Sequence, residues 1–148
     1  MDKVVNLAAY RKEKRLKYER EILKDFSLEL LGRQYRHLAK GLKCFPGYSI
    51  EPAEEHCYDI AVEGFLLGGY YSKFNRYGES PERIKERAQK EIDMLSQQLF
   101  YYLNKQEEKE EEESFIHETL RSLTDEYVVA WWLEGYAKGI NRYKMRMK

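Results

Sequence analysis

The fold of this chain depends on residues 59–77, which read DIAVEGFLLGGYYSKFNRY. This stretch aligns without a gap with residues 125–143, which read DEYVVAWWLEGYAKGINRY, and eight of the nineteen aligned pairs are identical. An internal repeat indicates that one supersecondary unit is used twice. We therefore expect the two copies to be related parts of one architecture.

Both copies carry glycines in the interior of a predicted helix, namely Gly64, Gly68 and Gly69 in the first and Gly135 and Gly139 in the second. Each such glycine costs roughly 0.5–1 kcal/mol relative to alanine. Small residues compensate when they let the backbone of another helix approach closely. We predict that the two copies cross each other near Gly69 and Gly135, with tyrosine and tryptophan packed around the crossing.

The composition favours a single helical domain. The chain has 148 residues, of which 43% are hydrophobic and 35% charged, with only three prolines and nine glycines. This length fits one domain with a real core, and the abundance of Leu, Glu, Lys, Arg and Ala favours helix. With two cysteines and neither a signal-peptide pattern nor a membrane-spanning window, a cytoplasmic location is expected.

Hydrophobic periodicity predicts an all-α bundle of four main helices, arranged as two pseudo-repeated helical hairpins. The first helix could break near residues 25–27, because Asp25 and Ser27 are residue types that also cap helices. Ser49, Ser80 and Ser114 are the expected N-caps, and Gly78 is the expected end of the first repeat helix. The expected order is a lead-in over residues 1–9, a basic helix and loop over 10–48, the first repeat helix over 49–78, a third helix with an acidic end over 79–113, and the second repeat helix over 114–148.

The formal net charge is zero, but the charges are segregated along the chain. Residues 1–48 carry twelve Lys and Arg against six Asp and Glu, whereas residues 49–113 carry eight against sixteen. The candidate partner-binding residues are Arg11, Lys12, Lys14, Arg15, Lys17 and Arg20. They could bind an acidic partner protein or nucleic acid, or form a solvated helix end, or contact the acidic run at residues 107–113. An anionic membrane surface is the weakest reading, because the required apolar face is poorly formed.

Two further sets of residues are candidates for ligand binding. Arg76 and Arg142 occupy matching positions in the two copies and could form a paired anion site, because guanidinium binds carboxylate and phosphate through two parallel hydrogen bonds. The aromatic residues of the copies could also surround a small ligand: Tyr70, Tyr77, Trp132 and Tyr136. The simpler interpretation of the two arginines is that cations are favoured at helix C-termini. The simpler interpretation of the aromatic residues is that they form an ordinary aromatic core.

Catalytic and metal-binding patterns are sparse. The only local cluster of His, Cys and acids surrounds His56 and Cys57, but adjacent helical residues point about 100° apart and make a poor catalytic pair. The histidines are scattered at His37, His56 and His117, so a zinc site would require the fold to bring them together. No phosphate-binding or nucleophile motif is present. We expect no enzymatic activity, no metal and no cofactor.

The basic opening helix, the segment Cys-Phe-Pro-Gly at residues 44–47 and the two Asn-Arg-Tyr helix ends resemble a small family of uncharacterised proteins from spore-forming Bacillus relatives. The resemblance covers most of the chain. It implies a bacterial cytosolic setting, with a link to sporulation or the cell envelope. That family has no established activity, so it supplies no functional residues.

These observations predict a non-enzymatic protein-interaction or adaptor module with an unknown protein partner, and homodimerisation remains open. Two alternatives also remain open. One is a nucleic-acid-associated protein that uses residues 11–20, and the other is a helical bundle that holds a small ligand among its aromatic residues.

Overall fold

The computed structural model describes residues 2–43, 45, 48–104 and 113–146, and all regular structure in these residues is helical. The five α-helices are α1 (Asp2–Leu23), α2 (Leu28–Leu42), α3 (Glu54–Tyr71), α4 (Pro81–Asn104) and α5 (Glu113–Arg146). Two 3-10 helices, Glu51–Ala53 and Ser72–Tyr77, flank α3. The all-α prediction is confirmed, but the described residues contain five α-helices rather than the four main helices expected.

The additional helix arises because the predicted first helix is two helices, α1 and α2. Phe26 turns into the core between them and stacks on Trp131, with ring centroids 4.8 Å apart. Ser27 then caps α2, since its Oγ accepts a hydrogen bond from the backbone N–H of Leu30 at 3.0 Å. At the other end, α1 already begins at Asp2, so the lead-in expected over residues 1–9 is helical from residue 2.

The remaining helix ends follow the sequence signals in part. Ser49 is not the N-cap of α3, because the 3-10 helix Glu51–Ala53 precedes α3 and its start carries Pro52. The first repeat helix ends as an α-helix at Tyr71 and continues as the 3-10 helix Ser72–Tyr77, which Gly78 ends with a φ of 82° that glycine adopts without strain. Ser80 precedes α4 and caps it, since its Oγ accepts a hydrogen bond from the N–H of Arg83 at 3.3 Å. Finally, α5 begins at Glu113, one residue before the expected cap.

Helices α3 and α5 pack in parallel, and glycine sets the distance between them. A Cβ atom added to Gly68 would lie 1.9 Å from the carbonyl oxygen of Trp132, and one added to Gly135 would lie 1.9 Å from that of Phe65. Only glycine therefore allows the two backbones to approach this closely. A Cβ on Gly69 would lie 3.7 Å from the carbonyl oxygen of Gly135, so the predicted crossing of the two copies is confirmed.

The two copies are nevertheless used differently. Gly135 lies against the backbone at Phe65, whereas Gly69, its counterpart in the repeat, lies against the side chain of Ile22 from α1. Ile22 is fully buried in this position. Because α1 lies against Gly69 whereas the other repeat helix lies against Gly135, the contacts do not obey a simple twofold relation. The arrangement as two pseudo-repeated hairpins is not confirmed.

Candidate interaction surface

The C-terminal half of α1 is anchored to the α3–α5 pair. The hydroxyl of Tyr18 donates a hydrogen bond to the carbonyl oxygen of Gly69 at 2.7 Å. Arg142 of α5 binds Glu21, on the same face of α1 as Tyr18, at 3.3 Å, and Asp25, just beyond the end of α1, at 2.5 Å. These contacts raise the pKa of Arg142, chiefly through its hydrogen bond to Asp25. They hold the last turns of α1 in place, while residues 8–17 are all exposed.

The exposed part of α1 carries the cations singled out in the sequence. The six residues of this basic face are exposed in the structure: Arg11, Lys12, Lys14, Arg15, Lys17 and Arg20. Among the described residues, Arg15 is the member of this set that forms an ion pair with a carboxylate, since its Nε lies 3.3 Å from Glu19. Lys14, Lys17 and Arg20 follow one another at three-residue steps and so lie along one side of the helix.

A groove of about 720 Å³, with walls formed by α1, α3 and α4, adjoins the basic face. We call it the α1 groove. Its lining from α1 is Lys12, Arg15, Leu16, Tyr18 and Glu19, and its lining from α3 is Glu63, Leu66, Leu67, Tyr70 and Tyr71. Its lining from α4 is Glu91, Met94, Leu95 and Gln98. The groove thus combines an apolar centre with charged walls.

The apolar centre is open to solvent. Leu16 is 40% exposed, Tyr70 41% and Met94 54%. The ring of Tyr70 also carries a cation on its face, since Lys73 Nζ lies 3.8 Å and Arg15 Cζ 5.8 Å from the ring centroid. Exposed apolar residues that are grouped and rimmed by polar ones mark interaction sites.

The α4 wall of the groove is held by a hydrogen bond from the Tyr71 hydroxyl to the carboxylate of Glu91. Burial and this hydrogen bond raise the pKa of Tyr71 to about 12. Tyr71 therefore remains a neutral donor near neutral pH, and Glu91 stays directed along the rim. Glu63 of α3 is a second exposed carboxylate that lines the groove.

The structure gives the two candidate anion-binding arginines different partners. Arg142 is engaged by Asp25 and Glu21, as described above, whereas the guanidinium of Arg76 lies 4.1 Å from the ring centroid of Tyr143. Each arginine therefore has a partner within the chain. The paired anion site gains no support from this arrangement.

The four aromatic candidates for ligand binding lie in different environments. Trp132 is 1% exposed and stacks on Tyr136, with ring centroids 5.3 Å apart. The hydroxyl of Tyr136 accepts a hydrogen bond from Asn75 Nδ2 at 3.0 Å. Tyr77 is 77% exposed, and Tyr70 lines the α1 groove. Two of the four residues thus belong to the interior and two to the surface.

The His–Cys cluster is divided between the core and a helix contact. Cys57 is fully buried, and burial raises the pKa of its thiol to about 12. His56 instead stacks on Tyr102 of α4 with ring centroids 3.6 Å apart. The described residues contain no group of three His, Cys, Asp or Glu placed to hold a metal ion. Cys44 and the acidic run at 107–112 lie outside the described residues.

Among the described residues, no helix combines the length and the apolar character needed to cross a membrane. Fold and surface together define an all-helical protein with an exposed basic helix and an adjoining amphipathic groove.

The chain belongs to the family described as protein of unknown function (DUF2521), whose model matches residues 1–148. It is 27% identical over 148 residues to the uncharacterized protein YbaK of Bacillus subtilis strain 168, and the alignment covers 100% of both chains. No solved structure matches this chain. The resemblance to an uncharacterised family of Bacillus relatives is therefore confirmed.

Proposed function

We propose that this protein is a non-enzymatic, cytoplasmic interaction module that binds an acidic segment of a partner protein along the basic face of α1. The observation that carries the proposal is the exposure of all six cations of that face. Within the described residues, one of them has a carboxylate ion-pair partner, namely Arg15. These cations are available to bind another molecule, because most of them form no ion pair with a carboxylate on the protein's own described surface.

The anchoring of α1 supports this role. Tyr18, Ile22 and the Arg142–Asp25 pair fix the C-terminal turns of the helix on the α3–α5 pair. The basic face is consequently presented on a positioned helix rather than on an unrestrained segment. Charged groups at the rim of an interface mainly accelerate association and select the partner.

An acidic protein segment suits the surface better than nucleic acid does. The formal net charge of the chain is zero, whereas nucleic-acid-binding domains usually carry a strong positive excess. The carboxylates Glu63 and Glu91 also line the groove beside α1, where they would repel a phosphate backbone. The attraction is therefore local to α1 and favours a short acidic segment.

Photo-cross-linking in the native bacterium tests the proposal. A photoreactive residue replaces Lys17 on the basic face or, as the matched control, the exposed Lys90 on α4. We expect a discrete protein adduct from position 17 that is absent from position 90 and is lost when Lys14 and Arg20 are both changed to glutamate. Nucleic-acid adducts from position 17, or no adduct that depends on Lys14 and Arg20, would contradict the proposal.

A further inference from the structure

We propose that the α1 groove binds one amphipathic helix of a partner protein, with acidic residues on its flank facing α1 and basic residues on its opposite flank. This inference rests on the proposed function, because the bound molecule is again a protein. It concerns a neighbouring surface, however, because the groove shares Lys12 and Arg15 with the basic face but is not lined by Lys14, Lys17 or Arg20. The two surfaces can therefore be tested separately.

The dimensions of the groove fit about two turns of helix. Its walls span residues 12–19 of α1, 63–71 of α3 and 91–98 of α4. At 1.5 Å per residue, each wall is roughly 10–12 Å long. Grooves between helices commonly bind an amphipathic helix through apolar anchors at positions i, i+3 or i+4, and i+7. Two turns of contact provide room for these anchors.

The apolar centre supplies a surface for the anchors. Leu16, Tyr70 and Met94 belong to three different helices and converge on the groove, each at least 40% exposed. Leu66 and Leu95 lie between them, partly buried against the core. Methionine is flexible and adapts to side chains of different shape. Covering these groups with a partner helix removes apolar surface from water.

The walls of the groove carry opposite charges. Lys12 and Arg15 lie on the α1 wall together with Glu19, which pairs with Arg15 at 3.3 Å, and Glu63 and Glu91 lie on the walls formed by α3 and α4. Within the described residues, neither Lys12 nor Glu63 makes an ion pair. Complementary charge fixes the register and direction of a bound segment. A helix with acidic residues on one flank and basic residues on the other matches both walls in a single orientation.

Synthetic helical peptides test the inference on the full-length protein. The first probe is a peptide of about 14 residues, or four turns, with a leucine face flanked by glutamate on one side and lysine on the other. Two control peptides carry glutamate on both flanks or lysine on both flanks. We expect the mixed-charge peptide to bind at least ~10-fold more tightly than either control, a difference that fluorescence anisotropy resolves readily.

Substitutions then locate the peptide. Met94→Glu should weaken binding of the mixed-charge peptide at least ~10-fold, whereas Leu28→Glu, at a residue 76% exposed on α2, should leave it unchanged. The double change Lys12→Glu plus Arg15→Glu should reverse the preference, so that the all-lysine peptide binds best. This gain of binding cannot result from misfolding, and circular dichroism checks each variant.

Several outcomes would overturn the inference. These are equal binding of all three peptides, binding insensitive to Met94→Glu, and failure of the charge reversal to change the preferred peptide. Self-association that is abolished by Met94→Glu in sedimentation equilibrium would assign the groove to a second copy of the chain instead. The variant with Lys14, Lys17 and Arg20 changed to glutamate should still bind the mixed-charge peptide. Failure of the proposed function in the cross-linking test can thus be distinguished from failure of the groove to bind the peptide.

Discussion

Gly68 of α3 lies directly against the backbone carbonyl of Trp132 on α5, and a Cβ atom at Gly68 would come within 1.9 Å of that oxygen. Real Cβ atoms essentially never make contacts under 3.0 Å. The glycine is thus a condition of the packing between the two repeat helices, which in turn supports α1 and the groove.

Replacing Gly68 with alanine should destabilise the protein by about 3 kcal/mol, because the added methyl group forces two helix backbones apart. Gly32→Ala is the matched control, since a Cβ there would meet only the flexible end of Arg36 at 3.2 Å. The control should raise the free energy of unfolding by about 0.5–1 kcal/mol through helix propensity. Urea denaturation measures both changes, and equal stability of the two variants would contradict the packing.

The thiol of Cys57 should be unreactive in the folded protein. Burial leaves it 0% exposed and raises its pKa to about 12, so the nucleophilic thiolate is scarce at pH 8. In a Cys44→Ser background, modification by a thiol reagent at pH 8 should proceed only through unfolding and accelerate with urea. Rapid stoichiometric modification without denaturant would show that Cys57 is accessible.

Stability should fall at alkaline pH. The Cys57 thiol titrates near its ordinary pKa of about 9 when unfolded and near 12 when folded, so the unfolded chain releases the proton first. The contribution of this group is complete below pH 9 and is lost as the pH rises towards 12, by at most about 1.4 kcal/mol per pH unit. Burial also raises the pKa of Tyr127, which adds to the same trend.

Urea denaturation from pH 8 to 10.5 checks this dependence. In the Cys44→Ser background, Cys57→Ala should make the dependence shallower, because one of the titrating groups is removed. An identical slope with and without Cys57 would show that its pKa is not raised by folding.

The pair between Arg142 and Asp25 should hold α1 on the bundle. Arg142→Gln should lower the free energy of unfolding by only about 1 kcal/mol, since the pair is partly exposed. Amide hydrogen exchange at residues 18–23 should nevertheless become faster, because the last turns of α1 lose an attachment. Arg76→Ala is the control, as that arginine lies over Tyr143. Faster exchange of α1 in the control as well would show that both arginines act on α1.

The crossing of α3 and α5 could be predicted from the sequence because the cost of glycine in a helix is a local property. The free-energy cost of placing Gly68, Gly69 and Gly135 inside helices must be offset, and close packing of two backbones is the contact that requires glycine. The break before α2 was only partly predictable. Ser27 marks a capping site, but its use depends on Phe26 stacking on Trp131, more than 100 positions away in the sequence.

The groove was not predictable in the same way. Its walls come from three helices, and neither Glu63 nor Met94 belongs to an apolar stripe or a motif. The one available signal was Met94, an apolar side chain that lies outside the positions that α4 buries, such as Ile92 and Leu99. The cations of the basic face were identifiable, because long charged side chains on a helix are almost always exposed.

The amino-acid sequence by itself determined the helical class, the meeting of the two glycine-bearing helices and the position of the basic face. These features follow from periodicity, backbone propensity and charge, which act over a few turns of chain. Only the tertiary structure decided that Ile22 fills the space beside Gly69, that Arg142 pairs with Asp25, and that α1, α3 and α4 form the walls of an open groove. Such contacts join distant residues, and the packing of the whole bundle selects among the partners that each side chain could have.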